Sequence, residues 1–108
     1  MNHLNSLIIE GVVSKGFKAI SSNEGEFNLT STRTTKVGDN CFEDELTEVV
    51  VIVHDTLFKY AQKTLNEGRG VRVVGRLCNI NGGVQVIAEH FEVKPKTKNI
   101  DGHNFVQD

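Results

Sequence analysis

Apolar and polar residues alternate along several short stretches of the chain, and two other stretches are nearly continuous runs of branched residues. Leu4–Val13 and Leu46–His54 are rich in Val and Ile, which favour strands, and Phe27 and Leu29 alternate with polar neighbours as in a half-buried strand. Five strands are predicted: Leu4–Val13, Glu26–Thr32, Leu46–His54, Gly68–Leu77 and the segment from a tight turn at Asn81-Gly82-Gly83 to Pro95.

A helix is predicted between the third and fourth strands. The apolar residues Leu57, Phe58, Ala61 and Leu65 recur at the spacing of one helical face, and Lys59, Lys63 and Glu67 fall outside it. Asp55 or Thr56 is placed to cap the start of this helix, and Gly68 stands where a left-handed residue is common after a helix. The order of elements is therefore strand, strand, strand, helix, strand, strand.

This order predicts an all-β protein with the OB-fold, a five-stranded Greek-key barrel with one helix between strands 3 and 4. A small barrel closes by sharp coiling, so Gly11 and Gly75 are predicted bends or bulges. Side chains alternate between the two faces of a strand. In the fourth strand the alternate residues Val71, Val73, Gly75 and Leu77 are predicted to point into the barrel interior, and Arg72, Val74 and Arg76 are predicted to point away from it.

The length predicts one domain, residues 1–95, followed by a disordered C-terminal tail, residues 96–108. Residues 34–45 carry Gly38, Asp39 and several acids, and we expect a polar loop there. No apolar run approaches the length of a membrane span and the start does not resemble a secretory signal, so we expect a cytoplasmic protein without membrane contact.

Charge is polarised along the chain although the formal net charge is only -2. Residues 24–48 hold seven acids against Arg33 and Lys36, a net of −5, whereas residues 59–76 hold five bases against Glu67, a net of +4. The sequence leaves open whether this becomes a cationic groove or two solvated faces of opposite sign.

Catalytic and metal-binding patterns are absent from the sequence. Cys41 and Cys78 are far apart and the histidines are scattered, so we expect no metal, no cofactor and free thiols. No nucleophile motif or phosphate-binding loop occurs, and the adjacent acids Glu43, Asp44 and Glu45 suit solvation better than general acid–base chemistry. We therefore expect a protein that is not an enzyme.

Three segments, "LNSLIIEG", "LNEGRGVRVVGRL" and "VIAEHFEVKPK", give the chain a resemblance to the bacterial single-stranded DNA-binding protein family. The match is best to its spirochaete branch and covers roughly residues 4 to 96. The resemblance implies binding of single-stranded DNA in replication, recombination and repair, and assembly into dimers or homotetramers. The usual acidic C-terminal tip that recruits replication and repair proteins is missing, so the resemblance is to a short form.

The aromatic side chains on which that family stacks bases are also missing, because the chain has no Trp. Matching by position places Glu48 and Arg33 at two tryptophan sites, His54 at a phenylalanine site and Asn81 at the hairpin tryptophan. Base stacking contributes about 1–3 kcal/mol per base, so binding should be weaker unless Arg33 and His54 stack instead.

Seven residues are predicted to contact DNA, by phosphate contacts and stacking: Lys15, Lys18, Arg33, Lys36, His54, Arg72 and Arg76. Arg72 and Arg76 could instead lie in a subunit interface or in solvent, and Phe42 could stack a base or anchor the acidic loop.

Two other functions stay open. One is that of primosomal replication protein N, a replication-restart factor, and the other is a degenerate OB module that assembles with a paralogue and binds little DNA.

Overall fold

The computed structural model describes residues 1–95, and the predicted tail lies outside that range. Strands and helices fall in the predicted order. The strands are β1 (Leu7–Ala19), β2 (Glu24–Gly38), β3 (Cys41–His54), β4 (Gly70–Ile80) and β5 (Gly83–Val93), and a short 3₁₀ turn (Asp55–Leu57) leads into α1 (Phe58–Thr64) between β3 and β4.

The five strands close into a barrel in the order β1-β2-β3-β5-β4. Neighbouring strands are antiparallel except β3 and β5, which pair in parallel at Val51↔Val86 and Ile52↔Ile87. A five-stranded closed barrel with one helix between β3 and β4 is the OB-fold, so the predicted fold class is confirmed.

The barrel core consists of inward-facing side chains from all five strands, with α1 packed against one end. The helical face is confirmed, since Phe58, Ala61 and Leu65 are buried while Lys59, Lys63 and Glu67 are exposed. Phe17 packs against this end with its ring edge toward Phe58, at a centroid distance of 5.5 Å. The strand residues that fill the core are Val13, Phe27, Leu29, Val51, Val53, Val71, Val73, Val86, Ala88 and Phe91.

Gly11 and Gly75 lie where two backbones cross too closely for a side chain. A Cβ on Gly11 would collide with the carbonyl of Thr30, and one on Gly75 with the carbonyl of Ile87. The β4–β5 register shifts between Val74 and Gly75, which confirms the predicted irregularity there.

The prediction of a loop at residues 34–45 is wrong. β2 and β3 remain paired from Ser31↔Thr47 to Gly38↔Cys41, although β1 pairs with β2 no further than Thr30. We call this extension, residues 32–46, the ribbon. Its side chains are exposed on both faces because no other strand covers it, and it lacks the apolar alternation that identifies a barrel strand.

One smaller prediction is also wrong, and another is only partly confirmed. Neither Asp55 nor Thr56 caps the helix through its side chain, because Asp55 adopts a φ of 55° and its carboxylate accepts a hydrogen bond from Asn23. Leu77 has the predicted interior parity, since it lies opposite the core residue Val86, but it is 47% exposed because β1 begins at Leu7, opposite Gly75, and does not cover it.

The predicted turn residues are confirmed. Gly68 has a φ of 93°, in the turn that joins α1 to β4. Asn81 and Gly82 have φ values of 53° and 82°, the left-handed pair that a two-residue hairpin turn requires.

Candidate nucleic-acid interface

Strands β1, β2 and β3 present one continuous surface on the outside of the barrel, which we call the outward face. Phe27, Leu29 and Val51 point into the core, so the residues between them along β2 and β3 point outward. Residues that pair directly opposite each other share a face, and this places Val12, Thr30 and Glu48 in one row across the three strands.

A hydrogen-bond network joins the three strands in the middle of this face. The Thr30 hydroxyl donates to Ser14 Oγ at 2.9 Å, and the Ser14 hydroxyl donates to Glu48 Oε2 at 3.0 Å. Asn28 Nδ2 donates to the same carboxylate oxygen at 3.1 Å. Glu48 is therefore held in one orientation by donors from β1 and β2, although its side chain is exposed.

These donors stabilise the ionised form of the carboxyl group. The hydrogen bond from Asn28, and then that from Ser14, lower the pKa of Glu48 from its ordinary value of 4.5. Desolvation raises the pKa by less than these hydrogen bonds lower it, and the nearby charge of Lys15 makes the smallest contribution, which also lowers it. At neutral pH Glu48 is a carboxylate that only accepts hydrogen bonds.

Four of the seven predicted DNA-contacting residues lie on the outward face. Lys15 pairs with Asn28 and Lys18 with Glu26, at the edge formed by β1. The other two are Lys36, opposite Phe42 in the ribbon, and His54, opposite Glu24 at the end of β3. The face thus carries lysines on both sides of Glu48, together with the acids Glu24, Glu26 and Asp44.

Phe42 is the most exposed aromatic side chain in residues 1–95, at 62%. The other aromatic rings in that range are core residues or pack against the core; Tyr60, for example, stacks on Phe91 at a centroid distance of 5.1 Å. Phe42 lies on the outward face directly opposite Lys36, so a ring and a cation are presented together.

Arg33 does not join this surface. It pairs with Glu45 and shares the parity of Leu29 and Ser31, which places it on the opposite face of the ribbon from Lys36 and Phe42. Arg33 and His54 therefore do not form one surface. His54 lies on the outward face at the C-terminal end of β3, whereas Arg33 lies on the other face of the ribbon.

Arg72 and Arg76 lie on the outer surface of β4 and are engaged in ion pairs. Arg72 contacts Glu10 at 2.7 Å and Arg76 contacts Glu89 at 3.1 Å. Glu10 also contacts Lys94 at 3.4 Å, and the hydrogen bond from Arg72, followed by Lys94, lowers the pKa of Glu10. These exposed ion pairs contribute little to the stability of the fold, but they partly neutralise the positive charge of the two arginines that were predicted to contact phosphate.

The outward face also exposes apolar side chains. Val12 and Leu46 flank the Glu48 network and are 48% and 66% exposed, and Ile8 lies further along β1 at 68%. Together with Phe42 they give the face an apolar character that alternates with its polar groups.

Sequence reasoning did not find the roles of Ser14, Asn28 and Thr30. The alternation around Phe27 and Leu29 does indicate that Asn28 and Thr30 point outward. The position of Ser14 could not be found in this way, because the β1–β2 register shifts between Val13 and Lys15.

Within residues 1–95 no group of His, Cys, Asp and Glu side chains is arranged to hold a metal ion. In the same range, the helices are too short and too polar to cross a lipid bilayer.

No protein-family profile matches the chain, and no curated protein matches it. Solved structures do. A small single-stranded DNA-binding protein from Streptomyces coelicolor aligns with a TM-score of 0.66 at 20% identity, over 87% of this chain and 95% of that one. The Plasmodium falciparum single-stranded DNA-binding protein in complex with single-stranded DNA gives 0.65 at 18% identity, over 87% and 96%.

A deletion variant of the single-stranded DNA-binding protein from Thermus aquaticus gives a TM-score of 0.65 at 15% identity, over 91% of this chain and 63% of that one. Identities this low establish the architecture alone. The chain has the OB-fold that these single-stranded DNA-binding proteins share.

Proposed function

We propose that this protein binds single-stranded DNA on the outward face of β1, β2 and β3. The observation that carries the proposal is the pairing of the exposed Phe42 ring with Lys36 on the same face as Lys15 and Lys18. In OB-folds the face of strands 2 and 3 is the usual oligonucleotide site. The solved structures of similar fold are single-stranded DNA-binding proteins, which supports the same assignment.

Binding combines phosphate contacts with limited stacking. Lys15 and Lys18 at one end of the face and Lys36 at the other take the phosphate backbone, while Phe42 stacks a base. His54 provides a second flat ring at the end of β3, opposite Glu24. Arg33, Arg72 and Arg76 are peripheral in this proposal, because they lie on other surfaces and two of them are ion-paired.

The wider biological role follows the resemblance of the sequence. We propose a cytoplasmic, spirochaete-like protein that acts in replication, recombination and repair, without catalytic activity and without strong sequence preference. Dimers or homotetramers would form through outward strand surfaces, for which the exposed Ile8 on β1 is a candidate contact.

The proposal is tested by fluorescence anisotropy with a labelled mixed-sequence oligonucleotide of about 16 nucleotides, the upper end of the site size of one OB-fold. The matched competitor is a duplex of the same length, across a salt series. Preference for the single strand and an affinity that falls with salt are the expected results. Equal binding of both forms, or no binding at low salt, would reject single-stranded DNA as the ligand.

A second candidate is a module that acts through protein assembly and binds little DNA. It is favoured by the acids Asp44 and Glu48 among the exposed apolar residues of the outward face. Light scattering that shows a stable oligomer, combined with no oligonucleotide binding, would support this function. Binding of single strands by a monomer would exclude it.

A further inference from the structure

The centre of the outward face combines an oriented hydrogen-bond acceptor with exposed apolar surface. Glu48 Oε2 accepts both hydrogen bonds of the network, from Ser14 and from Asn28. Within residues 1–95 the other oxygen, Oε1, accepts no hydrogen bond. One acceptor atom is therefore fixed in direction and available to a ligand.

The donors of the network are already committed. Thr30 donates to Ser14 and Ser14 donates to Glu48, so both hydroxyl protons run toward the carboxylate. What the network offers to a ligand at this point is thus the acceptor Oε1 of an ionised carboxyl group.

The surroundings suit the flat side of a nucleobase. Leu46 lies on the same face of β3 as Glu48, two residues from it, and is 66% exposed, whereas Val12 lies in the row of Glu48 but on β1, across Thr30. Same-face residues of a strand are about 7 Å apart, close to the width of a pyrimidine with its substituents. A base that packs on Leu46 presents its edge to Glu48.

The carboxylate does not keep the DNA backbone away from this position. Lys15 is close enough to lower the pKa of Glu48, and it pairs with Asn28 in the adjacent strand. A phosphate can therefore contact Lys15 while the attached base lies beside Glu48.

We propose that Glu48 makes this position of the binding face selective for bases that carry an exocyclic amino group, and that it favours cytosine over thymine or uracil. The N4 amino group of cytosine donates to a carboxylate, whereas thymine and uracil present the O4 carbonyl at the same place, and two acceptors repel each other. This inference rests on the proposed binding of single-stranded DNA and adds a base preference at one position of it.

The test compares oligo-dC with oligo-dU of equal length by fluorescence anisotropy, because uracil lacks the methyl group of thymine. The two bases then differ at N4 against O4 and at N3, which accepts a hydrogen bond in cytosine and donates one in uracil, so the methylated cytosine described below is needed to isolate the N4 amino group. We expect oligo-dC to bind about three- to tenfold more tightly, the effect of one hydrogen bond to a charged group at a solvated site. In E48Q, whose amide both donates and accepts, the ratio should fall to about one.

The matched control is D44N. Asp44 is a second carboxylate on the same face of β3, held by a hydrogen bond from Thr34 at 2.6 Å, and its removal changes the net charge equally. D44N should strengthen binding of both oligonucleotides and leave their ratio unchanged. A ratio that collapses in D44N as well would show that charge alone, and not the Glu48 acceptor, produces the preference.

A second measurement uses the wild-type protein and so does not depend on a variant that folds. Oligonucleotides of N4,N4-dimethylcytosine lack the amino protons and should bind no better than oligo-dU. If the wild-type protein binds mixed-sequence single strands but does not distinguish dC from dU, the inference is wrong and the proposed function stands. If mixed-sequence single strands do not bind, the inference and the proposed function are both wrong. A preference for oligo-dC that persists in E48Q overturns the assignment to Glu48.

Discussion

Ser14 Oγ lies 3.0 Å from Glu48 Oε2, although the two residues belong to β1 and β3 and are separated by the whole of β2. The contact is possible because β1 is irregular after Val13 and because Thr30, which lies between them, has a short side chain that donates to Ser14. A polar network thus occupies the centre of the surface on which an OB-fold binds oligonucleotides.

Replacement of Phe42 should separate stacking from simple hydrophobic contact. F42A is expected to weaken binding of single-stranded DNA by about fivefold or more, the lower end of the 1–3 kcal/mol contributed by one base on an aromatic ring. F42L keeps the apolar bulk without the ring and should lose nearly as much. Anisotropy titrations in which F42L binds like the wild-type protein would show that Phe42 is not a stacking platform.

Lys15 and Lys18 should determine the salt dependence of binding. Each replacement by Ala is expected to reduce the slope of log affinity against log salt by about 0.7, the value for one phosphate contact on a single strand. Lys59 and Lys63 on α1 are exposed lysines away from the outward face and serve as the controls. Equal slopes in all four variants would remove Lys15 and Lys18 from the interface.

The two faces of the ribbon can be distinguished by a pair of substitutions. Lys36 lies opposite Phe42 on the outward face, and Arg33 lies opposite Glu45 on the other face. K36A should weaken binding more than R33A, although both remove one positive charge. If R33A has the larger effect in the same titration, DNA contacts the other face of the ribbon and Arg33 regains its predicted role.

Gly75 should tolerate no side chain. A Cβ at this position would collide with the Ile87 carbonyl, so G75A is expected to destabilise the fold by about 1–3 kcal/mol, the usual cost of overpacking. Each kcal/mol corresponds to about 4–8 °C in Tm for a domain of this size. G83A is the control, since a Cβ there meets no atom within 4 Å. Thermal denaturation with equal Tm values for the two variants would contradict the close approach.

Glu10 should make stability depend on pH in the acid range. The pKa of Glu10 is lowered by Arg72 and Lys94, so its ion pairs stabilise the folded protein above the ordinary value of 4.5. That stabilisation is lost as the pH falls through the lower, folded-state pKa. Urea denaturation from neutral pH into this range should therefore show a smaller loss of stability in E10Q than in the wild-type protein, and identical pH profiles would contradict it.

The sequence by itself determined the fold. The order of elements, the helical face of Phe58, Ala61 and Leu65 and the left-handed positions Gly68, Asn81 and Gly82 all follow from local apolar periodicity and backbone preference, which a short segment carries on its own. The same reasoning identified Gly75 as an irregular position, because glycine inside a strand indicates a bend or a close backbone approach.

Only the tertiary structure decided how the candidate site is assembled. The ribbon gives no apolar signal because nothing covers it, and the assignment of Lys36 to one face and Arg33 to the other depends on strand register. The Ser14–Glu48 contact and the ion pairs of Arg72 and Arg76 join residues far apart in sequence. Their partners are set by bulges and by barrel closure, which depend on the whole chain and not on any local pattern.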